Sequence, residues 1–365
     1  MPQVTEPTIG VALDMFGCPN RCRHCWLGQA CNQRMTEDDL RWVVQQFRAF
    51  QRGGEQAPRW KLRAATWFRE PDFSPDYRRL YELENELSDL PSQRSEYELL
   101  SVWRAARDPE YADWAYSIGA RVCQISFFGL DRNTDWGHRR RGAFRDALAA
   151  TERLLQAGIR PRWQWFFTKR IIPDLPGLIA ITEDMRLKER CEALGGPFTL
   201  FLHCPAPDGE ALHIEHLRPT TADLEQVPAW LREQSEQHIK QPLGEPEGRL
   251  VSRLRNEDKP LASTIRDMTA GDLWLDVTPE FNVYPGFFET TPPFCLGNLK
   301  TDGLAAILDT FENERTPGLQ AAFHVPVSEL ARRFGRPRGR RIYTPADLKN
   351  RWATMWAEVE SGTTQ

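Results

Sequence analysis

The sequence alternates short apolar runs with stretches of helical spacing, and this alternation restricts the fold more than any other feature. The first apolar run, Ile9–Leu13, ends at a loop rich in Cys, Pro and Gly, and Leu40, Val43 and Phe47 then recur at helical spacing. The pattern repeats to residue 202. The predicted strands are Ile9–Leu13, Lys61–Phe68, about Glu98–Trp103, Val122–Phe128, Pro161–Phe167 and Phe198–Leu202. The predicted helices include Ala143–Ala157, about Leu175–Leu194 and, beyond the last strand, Ala222–Gln237. Strands that alternate with helices predict a parallel α/β sheet with right-handed crossovers, here an open, partial (β/α)6 TIM-like barrel. In such barrels, ligands lie at the carboxyl ends of the strands.

The remainder of the chain predicts a different organisation. Residues 206–270 are polar and rich in Pro, Glu and Arg, which is typical of a linker or lid, and 241–259 show no periodicity. After them, Leu273–Val277 and Phe281–Tyr284 flank a turn and predict a hairpin. We therefore expect a barrel at 1–205, a linker or lid at 206–270, and an α+β cap at 271–365.

Composition excludes several classes of protein. The 365 residues carry a formal net charge of −4, without the basic excess of a nucleic-acid-binding protein. No apolar stretch approaches the roughly 18 residues that a membrane helix needs, and the N-terminus lacks a secretion signal. We expect a cytoplasmic protein, in which the eight cysteines stay reduced.

Cysteines cluster in the loop after the first predicted strand. Cys18, Cys22 and Cys25 follow the spacing C-x3-C-x2-C, and Cys31 lies close by. Three thiolates can hold three corners of a [4Fe–4S] cubane and leave the fourth iron open to a ligand such as S-adenosylmethionine. The alternative is a zinc site, for which His24 or Cys31 would supply the fourth ligand.

The stretch Cys18–Trp26, with His24 before the last cysteine, resembles the signature of the radical S-adenosylmethionine (radical SAM) superfamily. The resemblance implies one [4Fe–4S] cluster, held by Cys18, Cys22 and Cys25. It also implies reductive cleavage of S-adenosylmethionine to a 5′-deoxyadenosyl radical. The electron would come from a donor such as flavodoxin or ferredoxin.

The resemblance also implies residues that bind S-adenosylmethionine. Glu70, in Phe68-Arg69-Glu70-Pro71, stands where relatives have Gly-Gly-Glu-Pro and would receive the amino group. Ser126 would contact the ribose, Arg141 would pair with the carboxylate, and His24 belongs to the binding loop. For Arg141, the alternative is a place in a solvated arginine turn.

The C-terminal part resembles a degenerate SPASM or twitch extension. Gly286 follows Tyr284-Pro285, where a cluster-ligating cysteine is usual, and Cys295 is the last cysteine of the chain. One thiolate cannot hold an auxiliary cluster, so the resemblance implies a cap without one. Cys295 would then donate a hydrogen atom to a substrate radical or, alternatively, pack as an inert thiol.

The leading hypothesis is an enzyme that abstracts hydrogen from a small molecule, such as a natural product or a sugar-like metabolite. Epimerisation, dehydrogenation and carbon–carbon rearrangement all stay open. One alternative is modification of a ribosomal peptide. Another is a non-catalytic binding protein stabilised by an iron–sulfur cluster or by zinc.

Overall fold

The computed structural model describes residues 8–13, 18–27, 35–50, 60–66, 74–90, 97–262, 272–286 and 290–362, which form an α/β fold with mixed sheets. The strands are β1 Thr8–Leu13, β2 Lys61–Ala65, β3 Tyr97–Glu98, β4 Val122–Phe127, β5 Arg160–Phe166, β6 Thr199–His203, β7 Glu245–Pro246, β8 Asp272–Val277, β9 Asn282–Pro285, β10 Gly297–Asn298 and β11 Ile342–Tyr343. The α-helices are α1 Glu37–Ala49, α2 Tyr77–Leu87, α3 Val102–Ala105, α4 Tyr111–Ser117, α5 Asp131–His138, α6 Ala143–Gln156, α7 Leu175–Asp184, α8 Leu187–Ala193, α9 Thr221–Leu224, α10 Ala229–Ile239, α11 Glu247–Leu254, α12 Gly303–Glu312, α13 Pro317–Phe323, α14 Val327–Phe334 and α15 Pro345–Ser361. Short 3-10 helices occupy Ile172–Asp174, Gly209–Leu217 and Pro292–Phe294.

Two sheets carry the parallel strands that the sequence predicts. Strands β3, β4, β5 and β6 lie side by side in chain order, and every pair is parallel. The second sheet has the order β10-β9-β8-β1-β2, in which β1 pairs in parallel with both β2 and β8. These two sheets do not close into a barrel within the described ranges, and the remaining strands, β7 and β11, pair with each other as a small antiparallel sheet.

The C-terminal hairpin joins this second sheet. Strands β8 and β9 are antiparallel, as the sequence predicts. The sequence did not predict that β8 also pairs along the whole of β1, from Thr8 opposite Asp272 to Leu13 opposite Val277. The strand that precedes the cysteine loop is thus held on both sides.

The core follows this division into two sheets. One apolar cluster surrounds β3–β6, where Trp163 and Trp165 of β5 are fully buried, and another surrounds β1, β2 and β8. Burial of a large side chain contributes roughly 1.5–3 kcal/mol. The Trp163 indole N–H donates to the buried Thr151 hydroxyl of α6 at 3.1 Å, so its polar atom is also satisfied.

Some local predictions are wrong. The predicted third strand, about Glu98–Trp103, is only two residues long, because the Ser101 hydroxyl accepts from the Arg104 N–H and begins α3. The predicted helix Leu175–Leu194 is split into α7 and α8 at Arg186, which has a φ of +50°.

The stretch 241–259, predicted as a loop, contains β7 and α11. Three side chains of α11, Leu250, Val251 and Leu254, are buried in an apolar cluster with α13, α14 and α15. A helix of eight residues is too short for its period to stand out in the sequence. The part of the expected linker that the structure describes, residues 206–262, is therefore largely helical and packed.

Candidate active site

The cysteine loop lies beside the carboxyl end of β1 and faces a cavity. The thiols of Cys18, Cys22 and Cys25 are half-buried and free of disulfides. All three line one cavity of about 410 Å³. This volume lies within the range of about 300–1,000 Å³ that is usual for small-molecule sites. The structure thus brings together the three predicted cluster ligands at one cavity.

The end of α5 supports one side of the loop. The backbone N–H of Arg21 donates to the His138 carbonyl at 3.1 Å, and that of Arg23 donates to the Gly137 carbonyl at 2.8 Å. A Cβ on Gly137 would lie 2.1 Å from the Phe128 ring, so a residue without a side chain is required here. The loop therefore rests on backbone more than 100 residues away in sequence.

The 3-10 helix after β6 supports the other side of the loop. The Glu210 N–H donates to the Cys25 carbonyl at 3.0 Å. Gly209 has a φ of +45°, and a Cβ there would lie 2.5 Å from the Cys25 oxygen. Arg139 Nη1 lies 2.8 Å from Glu210 Oε2, and because Oε2 makes no hydrogen bond of good geometry, this attraction is mainly Coulombic. The ion pair links the two segments that support the loop. We call these two segments, residues 136–139 and 209–210, the loop clamp.

His138 connects the loop to strand β4. Its Nε2 lies 3.1 Å from the Ser126 carbonyl, and its Nδ1 lies 3.1 Å from Cys22 Sγ. Burial lowers the pKa of His138 to about 4, so the ring is neutral at pH 7. A carbonyl oxygen only accepts, so Nε2 carries the proton and Nδ1 accepts from the Cys22 thiol.

His24 packs among aromatic rings next to the cysteines. Its ring centroid lies 3.9 Å from that of Phe166 and 5.1 Å from that of Phe128. Burial, followed by the neighbouring His138 and His203, holds the pKa of His24 well below its usual value. Its Nδ1 is buried without a hydrogen-bond partner, although the residue lines the cavity.

Strands β4, β5 and β6 form a polar wall of the cavity. Ser126 of β4 lies opposite Gln164 of β5, and Phe166 lies opposite His203 of β6. The Gln124 side chain donates to the Gln164 side-chain oxygen at 2.6 Å. Neither glutamine was among the site residues predicted from the sequence. The signal was available, because the polar residues of both strands fall at alternate positions, Gln124 and Ser126 in β4 and Arg160, Arg162 and Gln164 in β5.

His203 and Asp208 add two titratable groups at the end of β6. Both line the cavity, and each has one buried atom without a hydrogen-bond partner, Nδ1 of His203 and Oδ1 of Asp208. Burial lowers the pKa of His203. Burial, assisted by the Asp347 carboxylate, raises the pKa of Asp208 to about 6. Next to His203, the Cys204 thiol has a pKa of about 12 because of burial, so it is an inert core thiol.

The other predicted site residues lie in different places. Arg141 is exposed and does not line the cavity, whereas Arg140 does and donates to the Asn20 side chain at 2.6 Å. Cys295 lies just before β10 and is not among the cavity residues. Glu70 lies outside the described residues. The roles expected for Arg141, Cys295 and Glu70 remain predictions.

The donor chemistry of the loop fits an iron–sulfur cluster. Three thiols outside any disulfide come from one loop, line one cavity, and include one sulfur within hydrogen-bonding distance of an imidazole. Within the described ranges, no group of three or more His, Cys, Asp or Glu side chains converges to hold a metal ion.

Comparison with known proteins gives matches at the level of structure. No protein-family model and no curated protein matches the sequence. Native anSMEcpe with bound AdoMet and Cp18Cys peptide is similar over 98% of both chains, with a TM-score of 0.53 and 11% identity. A histidine-tagged anSMEcpe with bound AdoMet is similar over 98% of this chain and 95% of that chain, with a TM-score of 0.52 and 12% identity. The chain has the radical SAM fold.

In this radical SAM fold, the likeness includes the C-terminal part as well as the parallel strands, because it covers 98% of the chain. The described part of 271–365, the segment expected to be an α+β cap, contains β8–β11 and α12–α15, and its role as a cap remains a prediction. None of the described helices is long and apolar enough to cross a membrane.

Proposed function

We propose that this protein is a radical SAM enzyme that cleaves S-adenosylmethionine reductively. The observation that carries the proposal is the position of Cys18, Cys22 and Cys25, three thiols outside any disulfide that line one cavity next to the carboxyl ends of parallel strands. We further propose that β1–β6 form an open, partial (β/α)6 barrel, because each described neighbour pair is parallel and follows chain order.

The cluster and S-adenosylmethionine would share the cavity. Cys18, Cys22 and Cys25 would hold one [4Fe–4S] cluster, which supplies a single electron that breaks a carbon–sulfur bond of the bound sulfonium. Ser126 and the ring of His24 line the same cavity, which supports contacts with the nucleoside. Arg140 faces the cavity in place of Arg141, and the pairing of Arg140 with Asp146 favours a structural role for it.

We propose a small-molecule substrate that loses a hydrogen atom to the 5′-deoxyadenosyl radical. Gln124, Gln164, His203 and Asp208 place hydrogen-bonding groups in the cavity, which suits a hydroxylated or amide-bearing metabolite. Hydrogen-bonding walls also suit a radical reaction, because fixed contacts with the substrate position one carbon for hydrogen abstraction.

A peptide substrate is the second candidate. The observation that favours it is the similarity to anSMEcpe, whose structure contains AdoMet and the Cp18Cys peptide.

For either substrate, we propose that the C-terminal part is a cap without an auxiliary cluster. We also propose that the protein is cytoplasmic.

The test is anaerobic reconstitution with iron and sulfide, followed by addition of S-adenosylmethionine and dithionite. We expect about four irons per chain and release of 5′-deoxyadenosine. Cys22→Ser should lose the cluster and the product. The matched control, Cys123→Ser, alters a buried cysteine outside the cavity and should keep both. A chain that contains zinc without iron or sulfide would instead be a metal-stabilised binding protein. An intact cluster that gives no 5′-deoxyadenosine would refute the enzymatic proposal.

A further inference from the structure

Three side chains form a hydrogen-bonded row on one face of β4 and β5. Gln124 of β4 lies directly opposite Arg162 of β5, and Gln164 lies two residues further along β5. Side chains at such positions share one face of the sheet. Arg162 Nη2 donates to Gln124 Oε1 at 2.8 Å, and Gln124 Nε2 donates to Gln164 Oε1 at 2.6 Å. We call Arg162, Gln124 and Gln164 the donor row.

The guanidinium group at one end fixes the direction of every hydrogen bond in the donor row. An arginine side chain only donates, so the Gln124 oxygen faces Arg162 and the Gln124 NH2 group faces Gln164. Two NH2 groups cannot bond to each other, so the Gln164 oxygen faces Gln124. The orientation of both amides therefore follows from the chemistry of one arginine, and the row ends in the NH2 group of Gln164.

This NH2 group lies at the cavity that contains the cysteines. Gln124 and Gln164 line the cavity, whereas Arg162 is not among the lining residues. Among the residues that the structure describes, no protein acceptor bonds to the NH2 group of Gln164. The residue is only 8% exposed, and its strand pairs with β4 on one side and with β6 on the other. A firmly held wall of the cavity thus presents hydrogen-bond donors to a ligand.

The positive charge of Arg162 selects the kind of acceptor that this donor suits. A hydrogen bond from a charged donor is roughly twice as strong as a neutral one, and hydrogen bonds in a row polarise one another. The Phe201 ring, whose centroid lies 5.7 Å from the guanidinium carbon, helps to hold the charge in place. The Gln164 NH2 group therefore suits an oxygen that is rich in electrons and carries no hydrogen, as in a carbonyl or a carboxylate.

We propose that the Gln164 side chain binds a carbonyl or carboxylate oxygen of the substrate, and that Gln124 and Arg162 position it. The inference rests on the proposed function, because it takes this cavity as the substrate site. It narrows the substrate to molecules that carry such an oxygen, and it makes Gln164 a determinant of specificity.

The depth of the donor row favours the substrate over S-adenosylmethionine as the molecule that it binds. Gln124 lies three residues before the carboxyl end of β4, and Gln164 lies two residues before that of β5. At about 3.3 Å per residue, these positions are roughly 7–10 Å from the edge of the sheet where the strands end. The apolar side chains of Leu100, Val102 and Ala147 line the same cavity and suit the carbon skeleton of a small molecule.

Two uncharged fragments test the direction of the donor row. Acetophenone only accepts hydrogen bonds, whereas aniline, which is neutral at pH 7, chiefly donates them. Ligand-detected NMR titrations of the full reconstituted protein, with saturating S-adenosylmethionine, measure the dissociation constant of each fragment. We expect the wild type to bind acetophenone about tenfold more tightly than aniline, because aniline leaves the Gln164 donor without an acceptor.

Gln124→Glu should invert the donor row while Gln164 stays in place. A carboxylate accepts from Arg162 and can only accept from Gln164 as well, so the Gln164 amide turns over and presents its oxygen to the cavity. The preference for acetophenone over aniline should fall at least about tenfold. Gln164→Met, which removes the amide at similar volume, should bind both fragments about equally. The matched control, Gln226→Glu, makes the same change at an exposed side chain outside the cavity and should keep the wild-type preference.

Two results would overturn this inference. One is an unchanged preference in Gln124→Glu, and the other is displacement of acetophenone by S-adenosylmethionine, which would assign the Gln164 amide to the cofactor. The proposed function is judged separately, by release of 5′-deoxyadenosine from the wild type with dithionite. A wild type that prefers acetophenone but releases no 5′-deoxyadenosine would refute the enzymatic function and leave the donor row as a binding site. A wild type that releases 5′-deoxyadenosine without preferring acetophenone would refute the donor row alone.

Discussion

Replacement of Gly209 by alanine tests whether the loop clamp holds the cysteine loop in place. Gly209 has a φ of +45°, in the left-handed region, where a residue with a Cβ costs about 1–2 kcal/mol. The added Cβ would also lie 2.5 Å from the Cys25 oxygen and 2.6 Å from the Trp26 oxygen. Both neighbours are backbone atoms of the loop, so relief requires movement of the loop itself. Overpacking of this kind typically costs about 1–3 kcal/mol.

Gly195→Ala provides a matched control for the backbone term. Gly195 has a φ of +86°, and a Cβ there would meet no atom within 4 Å. We therefore expect Gly195→Ala to lower the free energy of unfolding by about 1–2 kcal/mol through its backbone conformation alone. The additional loss in Gly209→Ala measures the collision with the cysteine loop.

Two measurements complete this test. Urea unfolding of the cluster-free proteins should place Gly209→Ala about 1–3 kcal/mol below Gly195→Ala. After reconstitution, an iron chelator should remove iron faster from Gly209→Ala, while Gly195→Ala should release it at the wild-type rate. Equal stability of the two variants, together with equal iron release, would show that Gly209 does not constrain the loop.

Two further predictions concern charged groups near the site. Arg139→Glu and Glu210→Arg should each destabilise the protein by about 1–3 kcal/mol and accelerate iron loss, because the pair is largely buried, and the double exchange should restore much of the stability and of the iron retention. As a control, the same exchange at the exposed pair Arg315–Asp309 should change stability by less than about 1 kcal/mol. If the double exchange restores nothing, this ion pair does not link the two supports of the cysteine loop. Burial raises the pKa of Asp208 to about 6, so the folded protein favours the protonated carboxyl group. The stability that this protonation adds is complete below the unfolded pKa of about 3.9 and is lost as pH rises through 6. In urea unfolding, the free energy of unfolding of Asp208→Asn relative to that of the wild type should therefore increase by up to about 3 kcal/mol from pH 4 to pH 7. A difference in free energy that does not change with pH would contradict the burial of this carboxyl group.

The elements that the sequence predicted well are those with a strong local signal. Strand β4, with alternating burial, and helix α6, with a buried apolar face, lie within a residue or two of their predicted bounds. The spacing of Cys18, Cys22 and Cys25 likewise identified residues that share one cavity. In each case neighbours in sequence are also neighbours in space, so a short window contains the whole signal.

The features that escaped prediction depend on contacts between distant segments. Nothing in the local sequence of Gly209 distinguishes it from an ordinary turn glycine, since its role arises from the Cys25 backbone against it. His138 looks like the polar end of a surface helix, yet it contacts Cys22, which is 116 residues away. Such residues become visible only when the fold brings the two segments together.

Strand β1 shows how far this dependence on distant segments extends. It is buried along nearly its whole length and carries the cysteine loop at its carboxyl end, but half of its backbone pairing comes from β8 in the C-terminal part. Leu275 and Val277 of β8 belong to the same apolar cluster as Val11 and Leu13. Removal of β8 would expose both the edge and the packed face of the strand that positions the cysteines. The C-terminal extension is therefore part of what holds the proposed cluster site together, in addition to any role as a cap.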